Sequence, residues 1–294
     1  MQAGATSANG FVPDATRRDE SCGIAVMAKA SAPGRTKTRL TPPLTADEAA
    51  RFNTAFLQDI AANLRAAARQ AAARHAAIAG YMAYGPPGPE SLSFFRKSLP
   101  PDIGLFEMWR GDFGVCLYET IVALLDHGHT SAVVLNSDSP TLPTALLVET
   151  ATRLAAPGDR AVLGPSTDGG YYLLGLKAAH RHMFADIAWS TERVAEQTIT
   201  RAREIGLALH ILPAWYDVDD VDALRRLHAE VNDAERTEPA PAHGLVPHRA
   251  RHSAALLTDL CRRGDFMHRL NLPELAAAPA GRPALAATEV AAWK

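Results

Sequence analysis

Short β-rich runs alternate with helical stretches from Gly23 to about Val231, and this alternation constrains the fold more than any other feature of the chain. Strand and helix repeated in turn is the pattern of an α/β domain with a mainly parallel sheet, because each helix carries the chain back to start the next strand. Strands are predicted over residues 23–28, 77–84, 103–109, 131–137, 161–165, 171–176 and 207–213. Helices are predicted over residues 113–126, 143–155, 191–205 and 220–231. Another runs from Thr45, which stands three residues before Glu48 as a capping box, through the Ala-rich stretch to Ala73. Within it Phe52, Phe56, Ile60 and Leu64 recur four apart and form a buried stripe.

Composition narrows the possibilities further. Of 294 residues, 47% are hydrophobic and 21% charged, which excludes a disordered or solvating chain. Lys and Arg number 30 against 32 Asp and Glu, so the basic excess of a nucleic-acid binder is missing. Cys22, Cys116 and Cys261 are isolated, with neither a disulfide framework nor a zinc ribbon, and fit a reducing cytoplasm. Residues 1–22 read as a polar leader without the apolar stretch of a signal peptide. No run approaches the roughly 20 apolar residues of a bilayer span, so a cytoplasmic protein without a membrane partner is expected. Pro239, Pro241 and Pro247 mark a linker, and residues 253–270 read as one amphipathic helix broken near Gly264, followed by an Ala/Pro-rich tail. The expected organisation is therefore a leader at 1–22, one catalytic domain at 23–234, and a partly helical extension at 235–294 on which a homo-oligomer could form.

In parallel α/β sheets, ligands bind outside the carboxyl ends of the strands. After the first strand, Lys29, Arg35, Lys37 and Arg39 surround Gly34 in a loop that either wraps a polyphosphate or is a solvated basic loop whose exposed charges salt would screen. It is not a Walker A loop, and no G-x-G-x-x-G fingerprint is present. After the fourth strand, Asp138 either holds a hard divalent cation or caps a turn before Pro140. Asp217 and Asp219 could add a second carboxylate, or Asp219 or Asp220 could cap the following helix. Asp168, Gly169, Gly170 and Tyr171 offer either a close backbone approach to a ligand or simply a hairpin turn. Asp112-Phe113-Gly114 spells a kinase motif without the rest of the kinase set, and is rejected. His127 and His129 match no zinc spacing and are read as surface residues.

Five segments in order, MAKASAPGRTKTRLTPPLT (27–45), LNSDSPTLP (135–143), VLGPSTDGGYYLLGL (162–176), FADIAWSTERV (184–194) and YDVDDVDAL (216–224), together resemble the small glycosyltransferase-A-like proteins labelled arsenosugar-biosynthesis-type glycosyltransferases. These look like distant relatives of the molybdenum-cofactor nucleotidyltransferases and phospholactate guanylyltransferase. The resemblance implies an α/β Rossmann-like nucleotide-diphospho-sugar transferase fold, three-layered, with a mixed, mainly parallel sheet. It implies transfer of a sugar from a nucleotide-sugar to a small-molecule acceptor. The alternatives are nucleotidyl transfer from a nucleoside triphosphate with release of pyrophosphate, and a non-catalytic nucleotide-sugar-binding module. By position, Lys29, Gly34, Lys37, Arg39 and Ser137 would bind the nucleotide. Asp138 and Asp219 would hold Mg²⁺ or Mn²⁺, and Asp138, Lys37 and Asp168 would act in catalysis. Asp168, Gly169, Gly170, Tyr171, Trp189, Ser190 and Thr191 would line the sugar or acceptor pocket. Two departures stand out: Val115-Cys116-Leu117 is apolar where polar residues are expected, and Asp220 replaces the more usual threonine.

Overall fold

The computed structural model describes residues 21–74, 76–108, 111–233, 244–263 and 265–272. The sequence-predicted leader up to residue 20, Trp109, most of the linker, Gly264 and the tail after 272 lie outside these. Seven strands form one sheet: β1 (Ser21–Lys29), β2 (Ala77–Gly85), β3 (Gly104–Glu107), β4 (Ser131–Leu135), β5 (Arg160–Pro165), β6 (Tyr171–Leu176) and β7 (Ala208–Ile211). Their order is β3-β2-β1-β4-β6-β5-β7. All neighbours run parallel except β6, which pairs antiparallel with both β4 and β5. The sheet is thus mixed and mainly parallel, and the 164–172 segment is indeed a hairpin as well as a loop at the sheet end.

The helices are α1 (Ala46–Ala72), α2 (Pro89–Ser98), α3 (Phe113–Asp126), α4 (Thr144–Ala155), α5 (Val194–Glu204), α6 (Val221–Asp233), α7 (Arg251–Cys261) and α8 (Phe266–Arg269). Strand periodicity assigns the two faces of the sheet. On β1, Ile24, Val26 and Ala28 join the larger core, which α1, α4, α6, α7 and α8 cover. Ala25 and Met27 point to the smaller core, built with α3, α5 and the short 3-10 turn Arg181–Phe184. None of the described helices is long and apolar enough to cross a membrane.

Helix α1 begins on the expected capping box: Glu48 N donates to Thr45 Oγ1 at 3.2 Å, and Thr45 N donates to Glu48 Oε2 at 2.8 Å. Its small alanines allow close approach, and its buried face also carries polar side chains that the sequence pattern does not reveal. Asp59, 1% exposed, accepts from His252 N, Ser253 N and Ser253 Oγ at 2.6–2.8 Å, so it satisfies the otherwise unpaired amides that open α7. At the other end, Arg269 grips Glu48 through two hydrogen bonds of 2.7 and 2.9 Å and also donates to the Pro43 carbonyl. Phe266 stacks on Phe52 with centroids 6.5 Å apart. These contacts fasten residues 251–272 to the start of α1 and to the loop preceding it.

Two local readings of the sequence need correction. His129 is buried rather than on the surface, bonded to Ser21 Oγ at 2.7 Å and Tyr81 OH at 2.8 Å. Burial, then the neighbouring His127, lowers its pKa to about 4, so it is a neutral core group. Helix α2 was not anticipated, although Pro89 in its first turn is an ordinary helix-start signal.

Candidate functional site

The carboxyl ends of β1, β4 and β5 and the start of β6 converge on a cavity of about 620 Å³. Reversal of β6 creates this convergence, because the β5–β6 turn falls at the same end of the sheet as the tips of β1 and β4. That turn is tied down at both sides: Ser166 N donates to Gly170 O at 2.9 Å, and Thr167 N to Trp215 O at 3.0 Å. Segment 215–219 is in turn sewn to the β4 tip by Val218 N donating to Asp138 O at 2.8 Å. Backbone pairing therefore brings Asp138, Asp168, Asp217 and Asp219 to one place.

Lys37 stands among these acids. Its Nζ lies 2.7 Å from Asp138 Oδ1, 2.9 Å from Asp219 Oδ1 and 2.8 Å from Val218 O, which uses all three ammonium donors. The side chain is only 6% exposed and lies over the Phe56 ring, with 5.2 Å from Nζ to the ring centre. Burial alone would lower its pKa, but the charges and hydrogen bonds of Asp138 and Asp219 carry it above the ordinary lysine value. Lys37 is thus not the exposed, salt-screened cation expected of a basic loop. That description fits Arg39, 73% exposed and 3.8 Å from Asp219. The Lys37 backbone is held in the left-handed region, φ 51°, a sparsely populated conformation for a residue with a side chain.

Asp217 has no such cation. Burial first, then the charges of Asp168, Asp219 and Asp138, push its carboxyl up to about 7. Asp220 faces away from the group and caps α6, accepting from Ala223 N at 2.8 Å. Asp168 accepts from Gly170 N at 2.9 Å. Among the described residues no group of three or more His, Cys, Asp or Glu side chains could hold a metal ion by itself.

A second, apolar wall faces these charges. Trp189 meets Phe113 edge-on at 5.4 Å and Tyr171 at 6.4 Å. Gly114 makes room for the indole, since a Cβ there would stand 2.6 Å from Trp189 Nε1. Among the described residues the buried Tyr171 hydroxyl has no hydrogen-bond partner, and burial raises its pKa above the ordinary tyrosine value. Asn136 Oδ1 and Ser166 Oγ, in residues that also line the cavity, are buried and unpaired as well.

Of the residues the sequence nominated, Lys29, Lys37, Arg39, Ser137, Asp138, Asp168, Gly170, Tyr171, Trp189, Ser190, Thr191 and Asp219 line this cavity. Gly34 and Gly169 do not. A Cβ on Gly34 would meet nothing within 4 Å, so that glycine serves a turn at φ +72° on the outside of the loop. Gly169, φ +90°, lets the hairpin approach the chain behind it: a Cβ would lie 2.0 Å from the Glu192 carbonyl oxygen. Met27, Phe113, Leu117 and Val134 line the cavity without having been nominated, because apolar residues in strands and helices read as core.

A model of the family described as "uncharacterized protein conserved in bacteria (DUF2064)" matches residues 54–191. A candidate nucleotide-diphospho-sugar transferase from Desulfovibrio desulfuricans G20 is 26% identical, with a TM-score of 0.68 over 86% of this chain and 98% of its own. The chain has the nucleotide-diphospho-sugar transferase fold. Looser likenesses include a cytidylyltransferase from Leptospira borgpetersenii (10% identity, TM-score 0.48, 84% of this chain and 96% of that one). Another is a mannosyltransferase from Pyrobaculum calidifontis in complex with GDP-Man and Mn²⁺ (15% identity, TM-score 0.38, 90% and 76%). No curated protein matches the chain.

Proposed function

We propose that this protein is a metal-dependent transferase that uses a nucleotide-activated donor, moving a sugar from a nucleotide-sugar to a small-molecule acceptor. One observation carries the reading: a basic loop and a group of carboxylates meet on one wall of a single cavity at the carboxyl ends of a nucleotide-diphospho-sugar transferase sheet. The match to the motifs of the arsenosugar-type glycosyltransferases supports the glycosyl version.

In this reading Lys29, Arg39 and Ser137, in the loops that follow β1 and β4, bind the diphosphate, and Lys37 neutralises charge that builds on the departing nucleotide. The donor set fits a divalent cation of the Mg²⁺ or Mn²⁺ kind, because such ions take one or two protein carboxylates and complete their shell with water and phosphate oxygens. Asp138 and Asp219 would hold it; both are partly exposed to the cavity, at 29% and 35%. The ion would supply Lewis-acid stabilisation of the phosphate oxygens. The acceptor hydroxyl attacks the anomeric carbon and the anomeric C–O bond to the diphosphate breaks. The electron pair leaves with the nucleoside diphosphate, and the hydroxyl proton passes to Asp168.

Incubation with nucleotide-sugars, nucleoside triphosphates and candidate acceptors tests this directly. Release of nucleoside diphosphate is expected. Release of pyrophosphate with a nucleotidylated product would replace the reading with nucleotidyl transfer, and binding of a nucleotide-sugar without turnover would replace it with a binding module.

A further inference from the structure

We propose that the apolar wall of the cavity selects an acceptor with a hydroxyl on a ring-sized apolar body, in preference to a polyhydroxylated one, and that Phe113 sets this specificity. The inference rests on the transferase reading above and names the acceptor class for that site.

Apart from Glu192, which follows Trp189 along the cavity rim, the charged side chains of the cavity belong to the acids and the basic loop. The opposite wall, made of Met27, Phe113, Leu117, Val134, Tyr171 and Trp189, carries no charge, and its members belong to or pack beside the smaller core. A sugar-like acceptor needs a hydrogen-bonding partner for each hydroxyl it buries, or it loses more to dehydration than it gains. The Tyr171 hydroxyl is buried beneath these side chains, so it offers such an acceptor no partner. A face of rings and aliphatic groups takes up an apolar body, and leaves the single reacting hydroxyl to turn toward Asp168 in the same cavity.

The placement of Phe113 strengthens the argument. It opens α3 and is 50% exposed. It stands at the cavity with its ring perpendicular to Trp189, at 84°, so the two rings form a corner that can hold a third ring edge-on or face-on. Asp168 and Tyr171 line the cavity from the same hairpin, so the apolar face and the proposed base are presented to one ligand. The cavity's volume, about 620 Å³, lies in the range of small-molecule sites and is shared between two surfaces of contrasting chemistry.

The test uses calorimetry on the full chain. UDP and GDP with Mg²⁺ probe the nucleotide side, and benzyl alcohol and glycerol probe the wall, each measured with and without the nucleotide. Benzyl alcohol is expected to bind at least tenfold more tightly than glycerol. Phe113→Ser should cut that preference about three- to tenfold, and Phe113→Leu, which keeps apolar volume without the ring, should give an intermediate value. Nucleotide affinity should stay within twofold in both variants. Equal affinity for the two alcohols overturns the proposal. So does a Phe113→Ser variant that loses nucleotide rather than alcohol binding, since the wall would then hold the donor's base. If neither nucleotide binds while benzyl alcohol still binds in a Phe113-dependent way, the transferase reading fails and the apolar selectivity of the wall stands.

Discussion

The two walls of the cavity differ in how completely their own groups satisfy one another. On the charged wall, Lys37 spends every donor on Asp138, Asp219 and the Val218 carbonyl, and its loop is clamped from behind by Arg269 on Glu48 and Pro43. On the aromatic wall, rings touch edge to face and Phe113 is left half exposed. A ligand binding to the first wall must exchange partners with groups already paired, whereas one binding to the second adds contacts where none exist. Fixed charge placement comes from the first arrangement, and net affinity is more readily gained from the second.

The largest expected effect comes from removing an acid at the centre of the charged wall. Asp138→Ala should lower kcat at least about 100-fold at saturating donor, with a thermal melt close to the parent because Lys37 keeps Asp219 and Val218. Full activity in that variant would remove Asp138 from the chemistry. Arg269→Ala lies outside the cavity and should affect one wall only. It is expected to cost about 1–3 kcal/mol of stability, read from denaturant midpoints, and to weaken nucleotide binding several-fold. Benzyl alcohol binding should be spared, and equal damage to both ligands would dissolve the distinction between the walls.

Asp217 gives a smaller effect with a definite sign. Its folded-state pKa of about 7 lies above the ordinary 3.8, so between about pH 4 and 7 the folded protein holds a proton that the unfolded chain has released. Stability contributed by this group is therefore lost as pH rises through that window. Asp217→Asn should flatten the slope and be more stable than the parent at pH 8 by about 1 kcal/mol, measured by melting across pH. The smallest effect belongs to the exposed rim. Arg39→Ala should weaken nucleotide affinity by no more than about 1 kcal/mol, and by less at 0.5 M salt than at 0.05 M. Lys37→Met should show a larger loss with little salt dependence, because its charge is shielded from solvent.

Much of the scaffold was legible because its signals are local. All seven strands fall within a few residues of their periodic runs, and the Thr45–Glu48 box marks the start of α1. Groups whose meaning depends on distant partners were not legible. Nothing near Asp59 in the sequence marks it as a buried cap, since the amides it caps arrive 193 and 194 residues later. Glu48 reads as a capping residue alone, and its second partner, Arg269, is 221 residues away. At the site, positions after strands pointed to Asp138, Asp168 and Asp219, which share the cavity. The burial of Lys37 was hidden, because nothing in a run of basic residues says which one folds inward. Phe113 was equally hidden, as its place at the cavity follows from the Gly114–Trp189 contact across the molecule.

The C-terminal clamp also has a consequence in time. A chain emerging from the ribosome at about 5–20 residues per second separates the appearance of Asp59 from that of Ser253 by about 10–40 s. Throughout that interval the face of α1 bearing Phe52 and Asp59 has no α7 or α8 to cover it, and the Lys37 loop has no brace. The Lys37 loop is among the first parts of the molecule to be made and among the last to be set. A nascent chain can therefore complete most of its sheet while the surface proposed to face the nucleotide is still unformed, and that surface is completed late, with the docking of a short helix.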